Sequence, residues 1–206
     1  MSISILNTET ANISSLERCL KKIGVNPILS SSIEECISNS NKVIIPGIGN
    51  MKFLKNFKQK VKQKIIDFIK FENNYLLGIC LGAQVIMKYS EESEEKTLGL
   101  INGSCKKLNN LVNINLNVGY KKLILTRKNN LLMNKLFNNI PDNSKFYFLH
   151  KYYIENKDSE AFTIQTYVVD KKFDCLLLKN NVIAAQFHPE LSKKPGEIFL
   201  ENFSKL

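Results

Sequence analysis

Arginine is nearly absent from this sequence. Among its 206 residues 29 are lysine or arginine, and only Arg18 and Arg127 are arginines. The planar guanidinium group reads bases and phosphates through paired hydrogen bonds, which the point charge of lysine does not reproduce. The formal net charge of +10 therefore indicates an exposed, lysine-rich surface rather than a nucleic-acid interface.

Long apolar runs and a pattern of paired cysteines are absent as well. No run approaches the roughly 18 residues that a membrane-spanning helix needs. Residues 1–6 lack the basic region and the long apolar stretch of a signal peptide. The five cysteines are scattered and odd in number, which is typical of reduced thiols. We therefore expect a soluble cytoplasmic protein that has neither a membrane nor a nucleic acid as its partner.

What the sequence does contain is an alternation of strand and helix patterns. In the first half, strands are predicted at 3–6, 25–29, 43–45 and 75–79, and helices at 13–23, 33–37, 53–57 and 65–69. A further helix, including Val85, Ile86 and Tyr89, is expected after Cys80. The second half has predicted strands at 123–125, 145–149, 162–167, 175–178 and 182–187, and helices at 131–137 and 198–203. This alternation indicates an α/β fold, with a largely parallel, partly mixed sheet between helices on both faces. With no repeat or linker, the chain is expected to form one domain over 1–206.

The first candidate for chemistry is Cys80, which lies between Gly78 and Gly82 at the end of a predicted buried strand. Small residues permit the tight strand-to-helix turn of a nucleophile elbow. The helix N-terminus that follows favours a thiolate, which is the reactive form of cysteine. We therefore predict that Cys80 is a nucleophile. The other cysteines are expected to be structural: Cys19, Cys36, Cys105 and Cys175.

A thiolate that attacks an amide needs a proton donor for the leaving nitrogen, and histidine is the usual one. His188 directly follows the predicted strand at 182–187, and Glu190 comes two residues later. In an extended chain these two side chains share a face, so Glu190 would orient the imidazole. We therefore predict that His188 and Glu190 act with Cys80.

The third candidate is the segment 46–49, PGIG, which follows another predicted strand. Ligands of open parallel sheets collect at the carboxyl ends of the strands, where glycine lets the backbone approach them closely. Backbone N–H groups here, such as that of Ile48, would hold an oxyanion together with the N–H of Leu81.

In chain order these motifs resemble the class I (triad) glutamine amidotransferases over nearly the whole chain. Within that family the closer resemblance is to the glutaminase subunits of imidazole glycerol phosphate synthase. The matching segments are 78–84 (GICLGAQ), 90–92 (SEE, at the expected end of a helix), 98–103 (LGLING), 186–192 (QFHPELS) and 200–203 (LENF).

The resemblance implies a flavodoxin-like, three-layer fold and a triad of Cys80, His188 and Glu190. It also implies a set of substrate-binding residues: Gly47, Gly49, Gln84 and Glu92. The implied reaction hydrolyses L-glutamine to glutamate and ammonia. The ammonia passes to a synthase (cyclase) subunit in a heterodimer that serves histidine biosynthesis. No cofactor and no metal are implied.

Three segments depart from the family pattern. Residues 7–12, NTETAN, keep only the last residue of the family's opening motif, and 117–121, NVGYK, replace HMGWN. Lys151 stands where a serine is expected. Because the first two segments belong to the side that meets the synthase, a different partner stays open, such as a synthase that aminates a cell-surface sugar.

Two other classes of function stay open. A stand-alone cysteine hydrolase or peptidase would need no partner, although α/β-hydrolases place the acid before the histidine, whereas Glu190 follows His188. A binding or regulatory subunit without activity would explain the altered opening segment and Lys151.

Overall fold

The computed structural model describes residues 2–7, 13–47, 51, 59–93, 97–125 and 130–206. These ranges contain the helices α1 (Ile13–Lys22), α2 (Ile33–Asn39), α3 (Gln59–Ile69), α4 (Leu81–Ile86), α5 (Leu131–Leu136) and α6 (Lys193–Ser204). They contain the strands β1 (Ile3–Leu6), β2 (Ile28–Ser30), β3 (Lys42–Ile45), β4 (Tyr75–Ile79), β5 (Met87–Ser90), β6 (Ile101–Lys107), β7 (Asn117–Lys122), β8 (Lys145–His150), β9 (Tyr152–Asn156), β10 (Phe162–Val168), β11 (Lys171–Lys179) and β12 (Val182–Ala185).

Most of the strands form one mixed sheet. Its order is β2-β1-β3-β4-β12-β11-β9-β6-β5, and β10 pairs with β11 outside this path. The half from β2 to β12 is parallel, whereas β11 runs antiparallel to β9, β10 and β12. Strands β7 and β8 form a separate antiparallel pair. The prediction of a parallel sheet with a mixed part is confirmed.

Apolar side chains cover both faces of this sheet. Within β3, Ile44 belongs to one cluster with Leu16 of α1 and Phe199 of α6. Its neighbour Val43 points to the other face, where it packs in the cluster that contains Ile65 of α3. Helices on both faces confirm the three-layer α/β architecture. In the described ranges no helix has the length and apolar character needed to cross a membrane.

Local signals explain the ends of the first two helices. Leu16 and Leu20 form the buried side of α1, and Gly24 follows it with a φ of +83°, a conformation in which glycine ends a helix without strain. Helix α2 begins after Ser32, whose side chain accepts a hydrogen bond from the Glu35 N–H. Both helices lie close to their predicted bounds.

The helix after Cys80 is shorter than predicted. It ends at Ile86, and Tyr89 lies in strand β5, which pairs with β6. Because Tyr89 is 62% exposed, it does not extend the buried stripe that favoured a longer helix. The segment 90–92 therefore ends a strand and not a helix, so that expectation was wrong.

Other differences concern strands that depend on their neighbours. The predicted strand at 123–125 is reduced to an isolated bridge between Ile124 and Gln165. Strands β6, β7 and β9 were not predicted. Their many polar residues leave no clear apolar pattern in the sequence, and these strands are stabilised by pairing with neighbouring strands. The helix predicted at 53–57 lies outside the described residues.

Candidate active site

Three neighbouring strands, β3, β4 and β12, end at the same edge of the sheet. Their parallel register pairs Ile45 with Gly78 and Ile79 with Ala185. The three predicted motifs follow directly: Gly47 after β3, Cys80 after β4 and His188 after β12. The fold therefore brings together segments that are far apart in the sequence, at the place where open parallel sheets bind their ligands.

Cys80 occupies a strained turn between β4 and α4. Its φ of 47° and ψ of −98° cost a residue other than glycine on the order of 1–3 kcal/mol. A Cβ atom on Gly82 would lie 2.1 Å from the Ile45 carbonyl oxygen, and one on Gly78 would lie 2.5 Å from the Gly82 carbonyl. The Cys80 N–H donates to the Ala185 carbonyl over 2.7 Å. This is the geometry of a nucleophile elbow.

His188 and Glu190 form a buried pair. Nδ1 of His188 lies 2.8 Å from Oε1 of Glu190, and the two side chains are 1% and 5% exposed. A carboxylate accepts, so Nδ1 carries the donated hydrogen and Nε2 is left for the reaction. The expected contact is present, but the chain is not extended as assumed. A 3₁₀ turn at Pro189–Leu191 brings Glu190 back to the ring.

The electrostatic surroundings of His188 favour its protonated form. Burial by itself lowers the pKa of this imidazole, but Cys80 and Glu190 outweigh it and raise the pKa well above its usual value. Cys80 contributes through both charge and a hydrogen bond. A histidine that keeps its proton beside the sulfur is placed to give that proton to a leaving group.

Two further polar groups surround the sulfur of Cys80. The Leu149 carbonyl and the Gln186 Nε2 each lie 3.6 Å from Sγ. The amide of Gln186 therefore donates to the sulfur, and its Oε1 is buried without a hydrogen-bond partner in the described part of the chain. Sequence reasoning assigned no role to Gln186, although it lies in the same motif as His188.

The predicted oxyanion donor at Leu81 is engaged in this structure. Its N–H donates to the Gly47 carbonyl over 3.4 Å, so it reaches a substrate oxygen only after that carbonyl turns away. Gly47 lies against both reactive side chains, because a Cβ there would be 2.9 Å from Cβ of Cys80 and 3.0 Å from Cε1 of His188. The predicted residues Ile48 and Gly49 lie outside the described ranges.

A cavity of about 330 Å³ opens over Cys80, a volume suited to a small ligand. Its lining residues are Gly47, Cys80, Leu81, Gln84, Glu92, Leu116, Leu149, His150, Lys151, Tyr152 and His188. Gln84 is buried, and its Oε1 has no hydrogen-bond partner among the described residues. A buried acceptor left unpaired costs about 1–3 kcal/mol, which a ligand N–H group would recover.

Glu92 supplies a carboxyl group to the cavity. It follows β5, where its N–H donates to Ser90 Oγ over 3.1 Å. Burial raises the pKa of this carboxyl group, and the charge of Lys151 lowers it. A partly buried carboxylate in this position is suited to a cationic group of the ligand.

His150 is a pocket residue that sequence reasoning did not assign. Its Nδ1 donates to the Tyr152 carbonyl over 2.7 Å, and its Nε2 lies 2.8 Å from Nδ2 of Asn117. Burial is the main cause that lowers its pKa to about 4. His150 is therefore a neutral, fixed part of the wall, and as one of only two histidines in the sequence it was an available signal.

Comparisons with known proteins agree with this arrangement. The family described as glutamine amidotransferase class-I matches residues 4–205. The imidazole glycerol phosphate synthase subunit HisH 2 of Campylobacter jejuni (strain RM1221) is 33% identical over 207 residues, with 100% of this chain and 98% of the relative covered. The subunit HisH of Buchnera aphidicola subsp. Schizaphis graminum is 34% identical over 209 residues, with 100% of both covered. A crystal structure of a glutamine amidotransferase shares the fold, with a TM-score of 0.73, 15% identity, and 99% of this chain and 100% of the other covered.

Proposed function

This chain belongs to the class-I glutamine amidotransferase family, and we propose that it is the glutaminase subunit of an imidazole glycerol phosphate synthase. In this role it hydrolyses L-glutamine to glutamate and ammonia. The ammonia passes to a separate cyclase subunit for histidine biosynthesis. The relatives from Campylobacter and Buchnera are named as subunits of that synthase, which supports this assignment.

One observation carries the proposal: Cys80 lies in a strained elbow beside a buried His188 that is bonded to Glu190. The raised pKa of His188, to which Cys80 contributes, links the sulfur and the imidazole electrostatically. These are the parts that nucleophilic catalysis on an amide requires.

The proposed reaction has two halves. In the first, Sγ of Cys80 attacks the side-chain amide carbon of glutamine, and the carbonyl electron pair moves to oxygen. The C–N bond breaks while His188 gives its proton to the nitrogen, so ammonia leaves and a thioester remains. In the second, His188 takes a proton from water, the hydroxide attacks the thioester carbon, and the C–S bond breaks to release glutamate. Glu190 holds the imidazole in the required tautomer.

The pocket has complementary groups for glutamine. The unpaired Oε1 of Gln84 is an acceptor for an N–H group of the substrate. The carboxylate of Glu92, at the cavity wall, is suited to the α-ammonium group. Gly47 leaves room between the reacting side chains, which any larger residue would fill.

An exposed apolar surface adjoins this pocket. We define the β7–β8 patch as Leu116, Val118, Tyr120 and Leu149, which are 45%, 50%, 43% and 37% exposed. Val118 pairs with Leu149 across the two strands, and Leu116 and Leu149 also line the pocket. A contiguous exposed apolar patch is typical of a protein interface, so we propose that the cyclase docks there.

The decisive test replaces Cys80 by alanine. We expect Cys80→Ala to abolish glutamine-dependent product formation by the complex with the cyclase, because no thioester forms. Ammonia-dependent formation by the cyclase should persist. Cys36→Ala, at a buried cysteine of α2 that does not line the pocket, is the control and should keep both activities. Equal loss of both activities in Cys80→Ala would overturn the proposal.

A synthase with another ammonia acceptor, such as a cell-surface sugar, is the second candidate. It is favoured by the altered segment 117–121, which overlaps the β7–β8 patch. Pairing the purified chain with each type of synthase separates the two, because only the true partner should form glutamine-dependent product.

A further inference from the structure

Lys151 and Glu92 lie at the same side of the pocket because three adjacent strands position them. Glu92 follows β5, in which Ser90 pairs with Cys105 of β6. Lys151 directly precedes β9, where Tyr152 pairs with Lys107 of β6. The Lys151 carbonyl accepts the Leu108 N–H over 2.8 Å, which fixes the backbone at this point. Both residues therefore line one cavity, and the charge of Lys151 acts on the carboxyl group of Glu92.

The two charges match the two charges of a free amino acid. Glutamine carries its ammonium and carboxylate groups on one carbon, so a pocket that places Glu92 near the ammonium also places it near the carboxylate. A lone Glu92 would attract one group and repel the other. A lysine beside it removes this conflict, since its ammonium on a flexible stem can reach the carboxylate.

We propose that Lys151 is a specificity-determining residue that binds the α-carboxylate of glutamine, while Glu92 binds the α-ammonium group. This inference rests on the proposed function and deepens it, because it defines the substrate as a free amino acid. A γ-glutamyl amide whose α-carboxyl group is blocked would lose the contact with Lys151.

The proposed role requires that the lysine charge lies at the pocket over Cys80 and not merely on the nearby surface. Lys107 belongs to the neighbouring strand and lines an adjacent cavity together with Lys151 and Tyr152, but it does not line the pocket over Cys80. A general attraction of anions by surface lysines would involve both residues equally. Lys107 is therefore the matched control.

The test measures how fast Cys80 is alkylated by a chloromethyl ketone analogue of glutamine and by the same ketone with an α-carboxamide. Iodoacetamide reports the intrinsic reactivity of the thiol. We expect the wild type to prefer the carboxylate reagent by about tenfold, the value of one charge-assisted hydrogen bond. Lys151→Gln should remove this preference and leave the rates with the carboxamide and with iodoacetamide unchanged. Lys107→Gln should behave like the wild type, and Lys151→Arg should keep most of the preference.

The outcomes distinguish a wrong role for Lys151 from a wrong glutaminase function. A wild-type preference that persists in Lys151→Gln, or a Lys151→Gln variant that reacts more slowly with all three reagents, would overturn the role of Lys151 alone. A wild type whose Cys80 reacts with neither ketone would overturn the glutaminase function as well.

Discussion

At the scale of single residues, the site depends on charges that are buried together. His188 and Glu190 are hydrogen-bonded over 2.8 Å and nearly inaccessible to water. Burial lowers the pKa of the His188 imidazole, but the contributions of Cys80 and Glu190 raise it by more. The proton on His188 is therefore held by its neighbours, which is what a donor to departing ammonia requires.

Replacing Glu190 by glutamine tests this arrangement. The amide keeps an acceptor for Nδ1 but removes the negative charge, so the pKa of His188 should fall toward its ordinary value or below. Since His188 must be protonated to release ammonia, the alkaline limb of the pH profile of glutamine hydrolysis should move to lower pH. We also expect kcat to fall on the order of a hundredfold.

Steady-state hydrolysis measured across pH, with the cyclase present, checks this expectation. Glu201→Gln is the control, because Glu201 pairs with Lys205 at the surface and is not among the described residues that line the pocket. An unchanged alkaline limb in Glu190→Gln would contradict the assigned role of the carboxylate.

At the scale of elements, the elbow between β4 and α4 exists because glycine permits close packing. The Gly82 backbone lies so near β3 that a Cβ would approach the Ile45 carbonyl to 2.1 Å. The strain at Cys80, with its φ of 47°, is held by this packing and by the hydrogen bond from its N–H to Ala185.

Gly82→Ala should therefore displace α4 from β3. We expect a loss of about 1–3 kcal/mol in the free energy of unfolding, and glutamine hydrolysis should fall more than the stability change explains, because Cys80 moves with the helix. Chemical denaturation and activity measurements give the two quantities. Gly24→Asn is the control, since a Cβ there meets nothing within 4 Å and asparagine tolerates its positive φ. A Gly82→Ala variant with native stability would contradict the packing argument.

At the scale of the whole molecule, we expect activity and partner binding to be connected through the strand ends. The Leu81 N–H is held by the Gly47 carbonyl, and the loss of one oxyanion donor typically costs about 10²–10³ in kcat. We therefore expect slow hydrolysis by the chain alone and acceleration when the cyclase docks beside the pocket.

Val118→Asp tests the docking part of this proposal. A charge in the centre of the β7–β8 patch should raise the Kd for the cyclase at least about tenfold and shift the acceleration to higher cyclase concentrations, with basal hydrolysis unchanged. Titrations of cyclase against glutaminase rate measure both effects. Val169→Asp introduces the same change at a residue that is 69% exposed on the turn between β10 and β11, and should have no effect. An equal response of both variants would place the interface elsewhere.

Sequence patterns predicted the parts of the fold whose causes are local. The apolar run of β4 and the buried apolar residues of α1 each lie within a few consecutive residues. The predicted strand and helix therefore agree with the structure. Strands β7 and β9 have weaker patterns and are stabilised by their partners β8, β6 and β11. The end of α4 at Ile86 is likewise decided by the pairing of β5 with β6.

The sequence by itself determined which side chains are candidates for the reaction, because Cys80 between glycines and His188 before Glu190 stand in short motifs. Only the tertiary structure decided that β3, β4 and β12 end side by side, that a 3₁₀ turn bends Glu190 back to the ring, and that the Leu81 N–H is engaged by Gly47. It alone placed Gln186 against the sulfur and brought Lys151 and Glu92 to the same cavity. The physical reason is distance along the chain. A motif lies within a few consecutive residues, whereas these contacts arise from pairing between strands that are distant in the sequence.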